Sequence, residues 1–165
     1  MTLVLVEGVS DAAALEAVAG RLGVRMPRVL PVGGSKGARR AAEAHPGTRL
    51  LGLVDAAERS DMEGLIDELF VCEPDLESEL LRALGEEAAL AVIAEQGELD
   101  SFRILQRQPA QRDRARDRQL VQFLAGRSGN KERYARLFAL ALPADRIPAP
   151  LVALVRAASA ESISG

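Results

Sequence analysis

The sequence predicts an α/β protein, a Rossmann-like parallel sheet flanked by helices and followed by a helical C-terminal part. The first observation is a set of four short apolar runs, which are continuous rather than alternating and so indicate strands covered on both faces. They lie at Leu3–Val6, Arg28–Val32, Leu50–Val54 and Leu69–Cys72. The second observation is that helical stretches separate these runs. This order predicts parallel strands joined by right-handed crossovers.

Three helices are expected between the strands. Ser10 is the expected N-cap of a helix at Asp11–Leu22, which ends at Gly23. A second helix is expected at Lys36–Ala44 and a short third one between Ser60 and Glu68. Beyond the last strand the pattern is helical only, with helices expected at Leu76–Leu84, Glu86–Gln96, Asp113–Leu124, Lys131–Leu142 and from Pro150. We therefore divide the chain into an α/β core, residues 1–100, and a helical extension, residues 101–165.

Composition narrows the classes of site that the chain can hold. It has 165 residues, 48% of them apolar, and a net charge of −3, so any contact with nucleic acid needs a local basic patch or bound cations. Cys72 is the only cysteine and His45 the only histidine. An internal disulfide and a thiolate cluster are excluded, and histidine-ligated zinc and a Ser-His-Asp triad are disfavoured. Without a signal peptide or membrane-spanning segment, we expect a cytoplasmic protein with no membrane partner.

Acidic residues follow three of the predicted strands. Glu7 ends the first run, Asp55 ends "RLLGLVD", and Glu73 and Asp75 follow "LFVC". Ligands of open parallel sheets bind at the carboxyl ends of the strands, and several carboxylates brought together there repel each other unless cations lie among them. Oxygen ligands suit Mg²⁺ or Mn²⁺. The alternative for Glu7 alone is an ordinary solvated loop acid.

One acid lies on an apolar helix face. In a helix at Leu76–Leu84 the leucines form a single arc, and Glu77 falls inside it. A carboxylate on that face needs a cation, a metal or water. The alternative is that the helix begins after Glu77, which is then a favourable acid at a helix N-terminus.

Positive charge is concentrated in the helical extension. Between Arg103 and Arg136 there are ten basic and three acidic residues, a net charge of +7. A basic segment beside an acidic metal site suits a phosphodiester, although most of these arginines can equally form a solvated helix face. Lys131 stands at a helix start, where the helix dipole disfavours a cation, so it either faces an anion or is simply exposed. The loop "PVGGSKGARR" lacks the P-loop spacing and is interpreted as a tight turn.

Taken together, these segments resemble the motifs of a TOPRIM domain, in particular that of OLD-family endonucleases. Four stretches carry the likeness in the family's order, namely "LVEGVSDAAALEAVA", "LLGLVDAAE", "VCEPDLESELLRALG" and "RSGNKERYARLF". The likeness covers about residues 2–142. OLD proteins join this domain to an ATPase, and because the chain has no Walker motif we expect a stand-alone TOPRIM protein.

The resemblance implies a two-metal site that hydrolyses phosphodiester bonds in DNA, as a Mg²⁺- or Mn²⁺-dependent nuclease or nickase. It assigns metal ligation to Glu7, Asp11, Asp55, Asp75 and Glu77, and catalytic roles to Glu7 and to Lys131, which would stabilise charge on the phosphate. Arg103, Arg107, Arg127 and Arg133 are the expected DNA contacts.

The chain departs from the family's DxD pair, because Ala57 stands where the second acid is expected; Glu58 or Asp61 are the nearest substitutes. An alternative is therefore a degenerate, non-catalytic module that binds nucleic acid or a separate ATPase protein. Another is nucleotidyl or phosphoryl transfer to a small molecule, which would not need the arginine-rich part. A homodimer is compatible with each of these.

Overall fold

The computed structural model describes residues 1–126 and 129–159. Its sheet contains four parallel strands in the order β2-β1-β3-β4. The strands are β1 Thr2–Val6, β2 Val29–Pro31, β3 Arg49–Asp55 and β4 Glu68–Cys72. All four predicted strands are confirmed, with ends that differ by at most one residue.

The helices cover both faces of the sheet and form the C-terminal part. In the described residues they are α1 Val9–Arg21, α2 Ser35–Ala44, α3 Arg59–Met62, α4 Leu76–Leu84, α5 Glu86–Glu95, α6 Leu99–Arg107, α7 Arg116–Ala125, α8 Asn130–Ala141 and α9 Ala149–Ser159. Two 3-10 helices, Ala56–Glu58 and Ala144–Arg146, precede α3 and α9. No helix in this part of the chain is long and apolar enough to cross a membrane.

Alternate residues of each strand enter two separate cores. Val4 and Val6 belong to the larger core, which includes α1, α4 and α8, whereas Leu3 and Leu5 enter a smaller core with α2 and Met62. A strand with both faces buried must be apolar throughout, which is why its sequence is a continuous run. The sheet is therefore inaccessible on its faces, and its open place for chemistry is the edge where the strands end.

Three sequence-based expectations about the helices are wrong. The N-cap of α1 is Gly8, not Ser10, because the carboxylate Oδ2 of Asp11 accepts a hydrogen bond of 2.8 Å from the Gly8 N–H. The third helix lies at Arg59–Met62, before most of its predicted range. Helix α6 was missed, because its apolar positions make only a short stripe in which Phe102 alone is fully buried.

Helix α8 packs mainly against α1 and so joins the C-terminal part to the sheet. Both helices present small buried side chains, including Ala14 and Ala17 of α1 and Ala135 and Ala139 of α8. Small residues let two helix axes approach closely. The first turn of α8, with Lys131, and the first turn of α1, with Asp11, are thereby held at the same end of the sheet.

Candidate functional site

The end of β1 supplies two carboxylates. Glu7 directly follows the strand and is exposed, and Gly8 then starts α1. Asp11, in the first turn of α1, is held by its hydrogen bond from the Gly8 N–H. An acid in this position is also favoured by the helix dipole. Glu7 and Asp11 consequently project from one rigid strand-to-helix junction.

The ends of β3 and β4 are tied together. Asp55 is the last residue of β3, and its Oδ1 accepts a hydrogen bond of 3.2 Å from the Leu76 N–H at the start of α4. The next residue, Ala56, donates its N–H to the Pro74 carbonyl at 3.0 Å. Asp75 caps α4, accepting a 2.8 Å bond from the Ser78 N–H. These bonds fix the carboxylates of Asp55 and Asp75 in place without using a charged partner.

Glu77 meets Lys131 across the site. Helix α4 begins at Leu76, so Glu77 lies in its first turn and on its buried face, and its relative exposure is 7%. The helix therefore does not start after Glu77, and Glu77 is both a first-turn acid and a buried one. The Lys131 Nζ lies 3.1 Å from Glu77 Oε1, and the lysine side chain is 53% exposed. Burial lowers the pKa of Lys131, but its hydrogen bond and attraction to Glu77 outweigh this and raise it overall.

The carboxylates are close enough to perturb one another. Burial raises the pKa of Asp55 to about 7, with further contributions from the charges of Asp11, Glu7, Glu77 and Asp75. Burial likewise raises the pKa of Asp11 to about 6, opposed by the Gly8 hydrogen bond and by Lys131. The acids predicted at three strand exits are thus brought together at one edge of the sheet. Without added cations, ionising all of them is unfavourable.

A sixth carboxylate, which the sequence left undecided, joins this group. Glu58 ends the 3-10 helix after β3, and its pKa is raised by burial and by the carboxyl of Glu7, which lies within hydrogen-bonding reach. Ala57, at the expected position of the second acid, is exposed. The sequence alone does not indicate this position, because it depends on the turn after β3 being a 3-10 helix.

The donor chemistry suits a hard divalent cation. Every candidate ligand is a carboxylate, the kind of oxygen donor that Mg²⁺ and Mn²⁺ prefer. Glu58 Oε2 is shielded from solvent and has no hydrogen-bond partner among the described residues, so a carboxylate oxygen is available there. In the described part of the chain no three acidic, histidine or cysteine side chains are already grouped tightly enough to enclose an ion. The buried Cys72 thiol is not a competing ligand, because burial raises its pKa.

The arginines expected to contact DNA have different surroundings. Arg103 is exposed and lies 3.3 Å from Asp100, and Arg107 is exposed at the end of α6. Arg133 forms an ion pair with Glu98 and lies over the Tyr134 ring, 4.9 Å from its centroid. Arg127 lies outside the described residues.

One groove opens beside the carboxylates. It lies between α1, β2 and α8 and has a volume of about 510 Å³. Its lining includes Val9, Pro31, Gly129, Arg133 and Arg136. Its charged lining residues are two acids and two arginines, Glu16, Glu132, Arg133 and Arg136, so their formal charges cancel.

Comparison with known proteins supports the fold. The C-terminal region of the Xanthomonas campestris pv. campestris OLD protein matches with a TM-score of 0.69 and 20% identity, over 99% of this chain and 93% of that chain. The C-terminal region of the Burkholderia pseudomallei OLD protein matches with a TM-score of 0.67 and 20% identity, over 94% of this chain and 95% of that one. No protein-family profile and no curated protein sequence matches the chain. The predicted α/β fold is that of the C-terminal region of OLD proteins.

Proposed function

We propose that this chain is a divalent-metal-dependent phosphodiesterase that cleaves or nicks DNA. The observation that carries the proposal is the meeting of carboxylates from three strand ends with Lys131 of α8. The likeness of the fold to the C-terminal region of OLD proteins and the four sequence motifs support the same function. The carboxylates would repel an anionic phosphate unless cations lie among them.

The acids hold the metals rather than accept the proton. Glu7, Asp11, Asp55, Asp75 and Glu77 are the proposed ligands, for two Mg²⁺ or Mn²⁺ ions. Bound ions of this kind lower the pKa of water and stabilise charge on the attacking and leaving oxygens. The hydrogen bonds from Gly8, Leu76 and Ser78 orient three of these carboxylates before any ligand arrives. Such preorganisation reduces the side-chain reorganisation that binding requires.

Lys131 provides the charge that faces the phosphate. In the structure its ammonium is paired with Glu77, and its raised pKa keeps it protonated throughout the physiological range. A cation held by Glu77 would weaken the attraction of Glu77 for Lys131, and the lysine could then hold a phosphate oxygen. The exposed half of the side chain gives it the freedom to make this change. A DNA backbone lying in the groove between α1 and α8 would pass Arg133 and Arg136, and it would also pass the acids Glu16 and Glu132.

Nicking of supercoiled plasmid tests the proposal. Wild-type protein is incubated with Mg²⁺ or Mn²⁺ and compared with Glu7→Gln, Lys131→Ala and the exposed control Glu87→Gln. We expect metal-dependent nicking that falls on the order of 100-fold in the first two variants and stays within about twofold in the control. Circular dichroism verifies that each variant is folded. Nicking that survives both site variants would contradict the proposal.

A second candidate function is a non-catalytic module that binds nucleic acid or a separate ATPase protein. Ala57 in place of the second acid favours it, as does the absence of a preformed three-ligand cluster among the described residues. Folded wild-type protein that binds plasmid in a gel-shift assay but never nicks it, with either metal, would support this candidate over the first.

A further inference from the structure

The turn after β3 places an acid where the sequence pattern lacks one. The 3-10 helix Ala56–Glu58 follows Asp55 directly, and Asp55 is its N-cap. Glu58, the last residue of this turn, lies near enough to Glu7 and Asp11 to be perturbed by their charges. Ala57, one position earlier, is exposed. In a DxD motif the second acid lies two residues after the first. In this chain the acid lies three residues after Asp55, at the end of the 3-10 helix.

The surroundings of Glu58 are those of an anion without a counterion. Its Oε2 is fully shielded from solvent and receives no hydrogen bond from the described residues. Its Oε1 lies 3.8 Å from the position that a Cβ would occupy at Gly34, in the loop after β2. On its other side is the carboxyl group of Glu7. Two carboxylates this close repel each other, and a cation between them would remove the repulsion.

We propose that Glu58 is a metal ligand of this site and supplies, together with Glu7, the carboxylate that the missing second acid would have provided. The inference depends on the proposed function, since it adds a ligand to the same site. It extends that site from the ends of β1 and β3 to the glycine loop after β2. The φ of +100° favours glycine at position 34, and a Cβ there would be in ordinary van der Waals contact with the Glu58 carboxylate.

Asp61 is the natural control, because it is the other nearby acid. It lies on α3, only three residues from Glu58, and it is exposed. The Oε2 of Glu58, in contrast, is shielded from solvent and unpaired among the described residues. Glu58→Gln and Asp61→Asn therefore remove the same charge from neighbouring positions while keeping each side chain's shape.

Calorimetric titration with MnCl₂ in the absence of DNA measures the effect directly. We expect Glu58→Gln and Glu7→Gln to weaken Mn²⁺ binding by on the order of 10-fold to 100-fold, and Asp61→Asn to remain within about twofold of wild type. Thermal melting in EDTA verifies that each variant is folded. Since the readout is binding of the metal alone, it does not depend on nuclease activity.

The outcomes separate the two ideas. Wild-type binding that is weakened by Glu7→Gln but unaffected by Glu58→Gln would overturn the role of Glu58 and leave the proposed function intact. Equal weakening by Glu58→Gln and Asp61→Asn would also overturn it, because the effect would then reflect net charge alone. No Mn²⁺ binding by folded wild-type protein would contradict both.

Discussion

The acidic edge of the sheet and the surface of the helical part differ in how far their charged side chains form ion pairs. On the helices, arginines pair with acids, as in Arg116 with Glu86 at 3.6 Å, Arg103 with Asp100 at 3.3 Å and Arg82 with Glu79 at 3.4 Å. At the acidic edge, the six carboxylates have one ion pair among the described residues, the contact of Glu77 with Lys131. These six are Glu7, Asp11, Asp55, Glu58, Asp75 and Glu77.

The difference is between charged groups that a partner already neutralises and carboxylates whose mutual repulsion a cation would relieve. An exposed pair is already neutralised and hydrated, and it contributes little to stability. The partly buried carboxylates of the edge are held by backbone hydrogen bonds and repel each other, at a cost to the metal-free fold. A bound cation would remove that cost and so raise the free energy of unfolding.

The largest effect expected is stabilisation by metal. With Mn²⁺ at about 100 times its dissociation constant, mass action adds about 2.7 kcal/mol to the free energy of unfolding. For a chain of this length that raises the melting temperature by roughly 5–10 °C. Differential scanning calorimetry at pH 8, with and without Mn²⁺, measures the shift. The Glu7→Gln variant should lose most of it, and an equal shift in both proteins would mean that the ion binds elsewhere.

A smaller effect is expected from removing one repelling charge in the absence of metal. The pKa of Asp55 is raised to about 7 in the folded protein, so the folded state binds more protons than the unfolded state above pH 4. Stability contributed by this residue therefore falls as the pH rises from about 4 to about 7, and the loss is complete above that range. Asp55→Asn should remove the loss and still accept the hydrogen bond from Leu76, raising the free energy of unfolding by about 1–3 kcal/mol at pH 8.

Denaturant unfolding in EDTA at pH 4.5 and pH 8 provides the test. The gain in Asp55→Asn should be several times smaller at pH 4.5, and the exposed control Asp145→Asn should change by less than about 0.5 kcal/mol at both pH values. A gain in Asp55→Asn that is independent of pH would exclude charge repulsion as its cause.

The smallest effect is expected on the paired side of the comparison. Arg116→Ala breaks an exposed ion pair with Glu86, and the free energy of unfolding should fall by less than about 1 kcal/mol. Denaturant unfolding in low and in 0.5 M salt measures this difference, which should shrink further with salt. A loss of several kcal/mol would show that the helical surface also depends on its charges.

The sequence predicts the strands well because burial on both faces of the sheet requires a continuous apolar run. The four strands were found because a strand covered on both sides has to be apolar at every position, and β3 shows this with five consecutive buried residues, Leu50–Val54. The burial of Glu77 was also predictable, since its place in the leucine arc of α4 follows from helical periodicity alone.

The details that depend on local hydrogen bonding were harder to predict. Gly8 rather than Ser10 caps α1, because the carboxylate of Asp11 accepts a hydrogen bond from the Gly8 N–H. The sequence of this stretch offers more than one residue that could serve as the N-cap. The position of Glu58 depends on the turn after β3 being a 3-10 helix. A three-residue turn is too short to produce a periodic pattern in the sequence. The pairing of Lys131 with Glu77 joins positions 54 residues apart and follows from the packing of α8 against α4.

Proton release during metal binding tests the central claim most directly. At pH 6.5 Asp55, with a pKa of about 7, is mostly protonated and Asp11, with a pKa of about 6, is partly so. If these carboxylates ligate the ion they must lose their protons. Calorimetric titration of Mn²⁺ in buffers of different ionisation enthalpy should detect release of about one proton at pH 6.5 and close to none at pH 8.5. Mn²⁺ binding with the same proton count at both pH values would contradict the assignment of the acidic edge as the metal site.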